Sequence, residues 1–193
     1  MAAPSPAARR RRPLRVALTG GIAAGKSEAL RAFRRAGAAV CSSDEIVHRL
    51  IASDEEVRAA LERRFGTTDR ARIAAVVFED AAELAWLEHL LHPRVRRELE
   101  RWLERLGGTA EVAVVEIPLL YETGADALFD AVVVVTAPLE LRRARGGDKV
   151  DARSARLVSE EEKVRRADFS FVNDGPLSAL ESFVRSVLAE LRR

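Results

Sequence analysis

Gly20-Gly21-Ile22-Ala23-Ala24-Gly25-Lys26-Ser27 follows directly on the apolar run Arg15-Val16-Ala17-Leu18-Thr19. The eight residues fit G-x-x-x-x-G-K-[ST], a phosphate-binding loop when a strand precedes it and a helix follows. Both conditions are met, because Glu28-Ala29-Leu30-Arg31-Ala32-Phe33 are good helix formers. Glycines at the two ends admit backbone torsions that side chains block, so successive N–H groups can point inward at phosphate oxygens. The anion then also sits at a helix N-terminus. Gly20, Gly21, Ala23, Ala24, Gly25, Lys26, Ser27 and Glu28 are therefore the expected nucleotide-phosphate contacts. Lys26 supplies a mobile charge for the outer phosphates, and the Ser27 hydroxyl a ligand for Mg²⁺. The chain has three lysines, Lys26, Lys149 and Lys163, against 29 arginines, and one of the three stands here.

Outward from the loop, the pattern is that of an α/β fold. A helix running to Arg35 stops at Gly37, and Ala38-Ala39-Val40-Cys41 reads as a short strand leading to Ser42-Ser43-Asp44. Helical periodicity resumes at Glu45, breaks near Ser53-Asp54 and closes at Phe65-Gly66. From Arg72 to Arg105 two or three helices are expected, with His92-Pro93 opening the last. The runs Val112 to Ile117 and Ala131 to Thr136 are apolar on both faces, as central strands of a parallel sheet must be. Phe169-Ser170-Phe171-Val172 reads as an edge strand, followed by a turn and an amphipathic helix. The expectation is a five-stranded parallel sheet with helices on both faces and a charged, mobile segment over about 142–163. Ligands of such sheets gather at the C-terminal ends of the strands.

Composition narrows the class. With 193 residues and 48% hydrophobic content, the chain is sized for a single core. No apolar run approaches the ~20 residues of a membrane span, and the stretch before Val16 lacks the apolar centre of a secretory signal. A single cysteine, Cys41, fits a reducing compartment, so the protein is expected in the cytoplasm. The net charge of +2 depends on Arg9-Arg10-Arg11-Arg12 in an Ala/Pro/Ser-rich segment, residues 1–13, expected to be a disordered basic tail ahead of a single domain over 14–193. Without that run the remainder is acidic, which argues against a nucleic-acid-binding domain.

Phosphoryl transfer needs an oriented acceptor, neutralised charge on the moving group and exclusion of water. Asp44, after the second strand, can orient or deprotonate an acceptor hydroxyl; it can equally be the N-cap of the next helix. Arg142, Arg143, Arg145, Arg153 and Arg156 in the charged segment can close over a nucleotide and neutralise the transferring group. His92 can contact a phosphate or ribose, or cap a helix. His48 and His89 form no metal-ligand spacing with Cys41.

Several separated motifs then carry a family resemblance. Leu18 to Ser27, Val40 to Ile46, Leu90-Leu91-His92-Pro93, Ile117-Pro118-Leu119-Leu120-Tyr121-Glu122-Thr123-Gly124, Ala167-Asp168-Phe169 and Asn173-Asp174-Gly175 occur in the order found in dephospho-coenzyme A kinases, which the chain resembles from about Leu14 to Leu191. The resemblance implies ATP-dependent phosphorylation of the ribose 3′-hydroxyl of dephospho-CoA by a single nucleotide-kinase-like P-loop kinase domain over 14–193, with a helical substrate-binding portion over about 45–106 and a lid over about 142–163, acting with Mg²⁺ on a small molecule, as a monomer and away from membranes. It implies Asp44 as base, Arg143 and Arg145 as lid arginines, Asn173 near the ATP adenine, and His92, Leu119, Leu120 and Glu122 with Asp44 at the acceptor. Two departures stand out. The lid is shorter, and Glu28 sets a negative charge near the phosphates unless it turns away or pairs with an arginine. The rivals are another small-molecule or nucleoside-monophosphate kinase on this scaffold, and a nucleotide-binding regulator with a degraded lid.

Overall fold

A computed structural model describes residues 12–147 and 158–193. The chain divides into two compact units, one formed by Met1–Cys41 with Leu103–Arg193, the other by Ser42–Trp102.

The first unit is built on a five-stranded sheet: β1 (Leu14–Gly20), β2 (Ala39–Ser42), β3 (Val112–Glu116), β4 (Ala131–Thr136) and β5 (Phe169–Val172), in the order β2-β3-β1-β4-β5. β1 runs parallel to β3 and β4, with Leu18 opposite Glu116 and Val133, and β4 parallel to β5. Alternation along the strands makes two cores. Val16, Leu18, Val133 and Val135 face α1 (Lys26–Arg35) and the C-terminal helix, where Phe33, Leu180, Val184 and Leu188 are buried. Ala17, Val132 and Val134 face the other way, onto Leu120 and Tyr121. This two-sided burial explains why β3 and β4 read as unbroken apolar runs. At the edge, β5 alternates half-buried Phe169 and Phe171 with exposed residues, the pattern of a strand with one wet face.

The second unit is helical: α2 (Ser43–Ser53), α3 (Glu55–Phe65), α4 (Arg70–Glu79) and α5 (Ala81–Leu106, which runs on into the first unit). Asp54 and Asp69 cap α3 and α4 by accepting from Val57 N–H and Arg72 N–H at 2.9 and 2.8 Å. Trp86 packs edge-on against Phe65 and under the Arg64 guanidinium, which also forks onto Glu83. One expectation fails here. Pro93 does not open a helix but lies inside the 26-residue α5, so His92 is an exposed mid-helix residue. Burial of Leu91 and Leu99 on either side holds the helix together across the proline, whose intrusion costs about 3 kcal/mol. The carbonyl of Leu90 also accepts from the Arg94 guanidinium at 2.9 Å.

In the first unit, α6 (Leu139–Gly146), α7 (Glu160–Arg166) and α8 (Leu177–Leu191) complete the description. The flanks of the expected mobile lid are thus helical; Arg153 and Arg156 lie outside the described residues. Arg12, counted with the tail, forks onto Asp130 at 2.7 and 2.9 Å, and Pro13 is buried. No helix among the described residues is long and apolar enough to cross a membrane.

Candidate active site

β1 ends in Gly20 and the chain turns through the loop into α1, with Gly20 and Gly25 at φ 147° and 102°. Ala23, without glycine's freedom, also sits at φ 59°. Gly25 is the N-cap of α1, its carbonyl accepting from Glu28 and Ala29 N–H, and a helix N-terminus of this kind attracts an anion. Asn173, just past β5, braces the loop from behind: its Nδ2 donates to Ala24 O at 2.9 Å, and its own N–H donates to Thr136 O at 2.7 Å. A Cβ on Gly25 would lie 2.2 Å from that Nδ2 and push Asn173 off the loop, and the φ of 102° favours glycine in any case. Asn173 therefore supports the phosphate loop directly. Lys26 Nζ spans the loop, donating to Gly20 O and Gly21 O at 3.2 and 2.8 Å, and Ser27 is exposed.

Glu28 resolves in favour of the site. Its carboxylate accepts from Arg31 and Arg35 at 2.5 and 3.1 Å, and Arg35 also pairs with Glu181 at 3.0 Å. The Arg35 hydrogen bond, helped by Arg31 against a burial effect, holds the carboxyl below its ordinary value. Both carboxylate oxygens of Glu28 are thus engaged by arginines.

Asp44 is not an N-cap: Ser42 occupies that position and Asp44 lies exposed in the first turn of α2, with no partner among the described residues. Arg143 and Arg145 are exposed on α6, Arg145 donating to Asn173 O at 3.5 Å. Leu119 is half-buried. Two of the expected acceptor-site residues are engaged within the protein. Leu120 is fully buried against the sheet. Glu122 faces inward, 2.9 Å from the buried Lys163 ammonium, and accepts from Val158 N–H at 2.9 Å. Tyr121 lies beneath Arg166, whose guanidinium is 4.1 Å from the ring centre and pairs with Asp126. Burial, opposed by Arg166, pushes the Tyr121 hydroxyl up. The Pro118–Gly124 segment is thus tied to α7 by charge and packing.

Sequence reasoning missed Glu116, Lys163 and Glu160, and took Arg142 only as one of several arginines of the charged segment. Glu116, buried at the end of β3, ended an apolar run without attracting notice. Lys163 carried the same signal as Lys26, a lysine in an arginine-rich chain. Arg142 and Glu160 form an ion pair at 3.0 Å that covers Gly21, and Arg142 Nε donates to Ala137 O at 3.1 Å.

The dephospho-CoA kinase family model matches residues 14–179. The chain belongs to the dephospho-CoA kinase family. It is 43% identical to the dephospho-CoA kinase of Deinococcus radiodurans over 93% of each chain. Among solved structures, a Thermus thermophilus protein is 36% identical with a TM-score of 0.80, covering 94% of this chain and 99% of that one. The dephospho-CoA kinase from Campylobacter jejuni is 26% identical with a TM-score of 0.65, covering 94% and 98%.

Proposed function

We infer that this chain transfers the γ-phosphoryl group of ATP to the ribose 3′-hydroxyl of dephospho-CoA, giving coenzyme A and ADP. The observation that carries the reading is a braced phosphate loop in a chain matched by the kinase family along residues 14–179. The loop amides and Lys26 bind the β- and γ-phosphates, Lys26 leaving the carbonyls it spans. Asp44, exposed and without a partner among the described residues, orients the acceptor hydroxyl and takes its proton as oxygen attacks phosphorus and ADP departs. Arg143 and Arg145 bring positive charge toward the transferring group. Ser27 and Glu116 suit Mg²⁺: an exposed hydroxyl at the loop end, and a carboxylate ending the strand beside β1. The ion would screen the phosphate charges. Dephospho-CoA reaches the site as a free small molecule, and the use of a single cysteine, Cys41, suits the reducing cytoplasm.

ATP consumption with and without dephospho-CoA, against shikimate and nucleoside monophosphates as control acceptors, tests the reading. Turnover only with dephospho-CoA is expected, and Asp44→Asn should cut it by about 10²–10⁴-fold while nucleotide binding persists. Equal turnover by the Asn variant would remove Asp44 from the chemistry.

A further inference from the structure

Gly21, second in the phosphate loop, is covered by side chains that arrive from two other helices. A Cβ placed on it would lie 1.6 Å from Oε1 of Glu160 on α7 and 3.0 Å from Nη1 of Arg142 on α6. Both side chains are largely withdrawn from water, at 12% exposure for Arg142 and 22% for Glu160. Although Arg142 Nη1 approaches Oε1 to 3.0 Å, its N–H is not aimed along the contact, and that oxygen is buried with no hydrogen bond among the described residues. One oxygen of a carboxylate is thus pressed against a phosphate-binding loop without a hydrogen-bond donor of its own. Burial pushes its carboxyl up and Glu161 adds to this, while Arg142, Lys163 and Lys26 pull the other way.

An anion in this position has an obvious counterpart. A nucleotide phosphate seeks the same loop and the same cations, and two anions so close repel in a partly desolvated setting. Arg142, held by Ala137 O and by Glu160, presents a planar fork already facing the loop.

We propose that Glu160 is a resident anion of the phosphate loop: its carboxylate stands beside Gly21 where it competes with a nucleotide phosphate, and its departure releases Arg142 to bind that phosphate. Glu160 thereby sets nucleotide affinity, and Arg142, rather than Arg143 or Arg145, is the arginine of α6 nearest the phosphates. The inference rests on the nucleotide-kinase reading above but concerns binding alone.

Titration calorimetry of the full chain with Mg²⁺ and the non-hydrolysable analogue AMPPNP, without acceptor, tests it. Glu160→Gln keeps the shape and removes the charge, and should tighten binding about ten-fold. Arg142→Ala should weaken it by a similar factor; should that variant fail to fold, Arg142→Lys should show a smaller loss, since a point charge cannot reproduce the fork. Binding by Glu160→Gln that is unchanged or weaker would overturn the proposal, as would undiminished binding by the folded Arg142 variant. The two readings fail separately. A chain that responds at residues 160 and 142 but never phosphorylates dephospho-CoA sinks only the acceptor assignment, whereas an active kinase indifferent to residue 160 sinks only this one.

Discussion

Glu122→Gln should destabilise the protein severely while leaving acceptor binding by the folded fraction intact. Lys163 is 1% exposed and its ammonium lies 2.9 Å from a Glu122 carboxylate that is itself 15% exposed. Removing one member of a buried pair strands the other, at a cost of about 3–5 kcal/mol. The asymmetry can be read from the surroundings. Without its anion, Lys163 is a buried cation, whereas Glu122 without Lys163 keeps the Val158 N–H and more access to water. Lys163→Met should therefore cost less than Glu122→Gln, and the double variant Glu122→Gln/Lys163→Met should recover most of the loss, because an amide and a thioether leave no buried charge. Equilibrium unfolding in urea resolves this: at a slope of about 2 kcal/mol/M, a loss of 3–5 kcal/mol moves the midpoint by about 1.5–2.5 M. Steady-state kinetics at low temperature, corrected for folded fraction, should return an unaltered KM for dephospho-CoA. A Glu122→Gln variant of normal stability and a raised acceptor KM would refute the reasoning and return Glu122 to the substrate site.

Asn173→Ala removes the only side-chain donor shown on the carbonyl of the fully buried Ala24, and should cost about 1–3 kcal/mol in urea unfolding. The same variant should weaken nucleotide binding by calorimetry, since an unbraced loop must be ordered on contact. Burial pushes the Asp130 carboxyl up, but the Arg12 fork and the Arg15 N–H outweigh it and hold it below its ordinary value. A depressed folded value means stability that is present above about pH 4 and lost as pH falls further. Asp130→Asn should accordingly flatten the fall in melting temperature below about pH 4, and an unchanged slope would show that the Arg12 contact contributes nothing.

The parts of this fold that could be read in advance are those governed by near neighbours in sequence. The loop, its strand and its helix are contiguous, and strands buried on both faces announce themselves as apolar runs. The pairing of Glu28 was also within reach, because Arg31 stands one turn on and Arg35 two turns on along the same helix. What escaped was fixed by distant partners. Pro93 read as a helix start because local rules place proline there, while the flanking leucines that carry α5 past it act through burial that no local rule sees. Arg142 and Glu160 meet only because two helices do.

Lysine usage, though, held more than was taken from it. Where 29 cations are arginine, a lysine marks a site that a guanidinium would not fit, and the two described lysines bear this out. Lys26 lays a compact ammonium across two loop carbonyls and must withdraw when phosphates arrive, a movement that a flexible stem with a single charged atom allows. Lys163 faces one carboxylate in a space closed to water, with no hydrogen bond of good geometry at Nζ among the described residues. An arginine there would bury five N–H donors against that same carboxylate and leave more of them unmet. The same chemistry thus selects lysine twice, once for a charge that has to move and once for a charge that has to be small. Lys163→Arg should for that reason destabilise the fold despite keeping the charge.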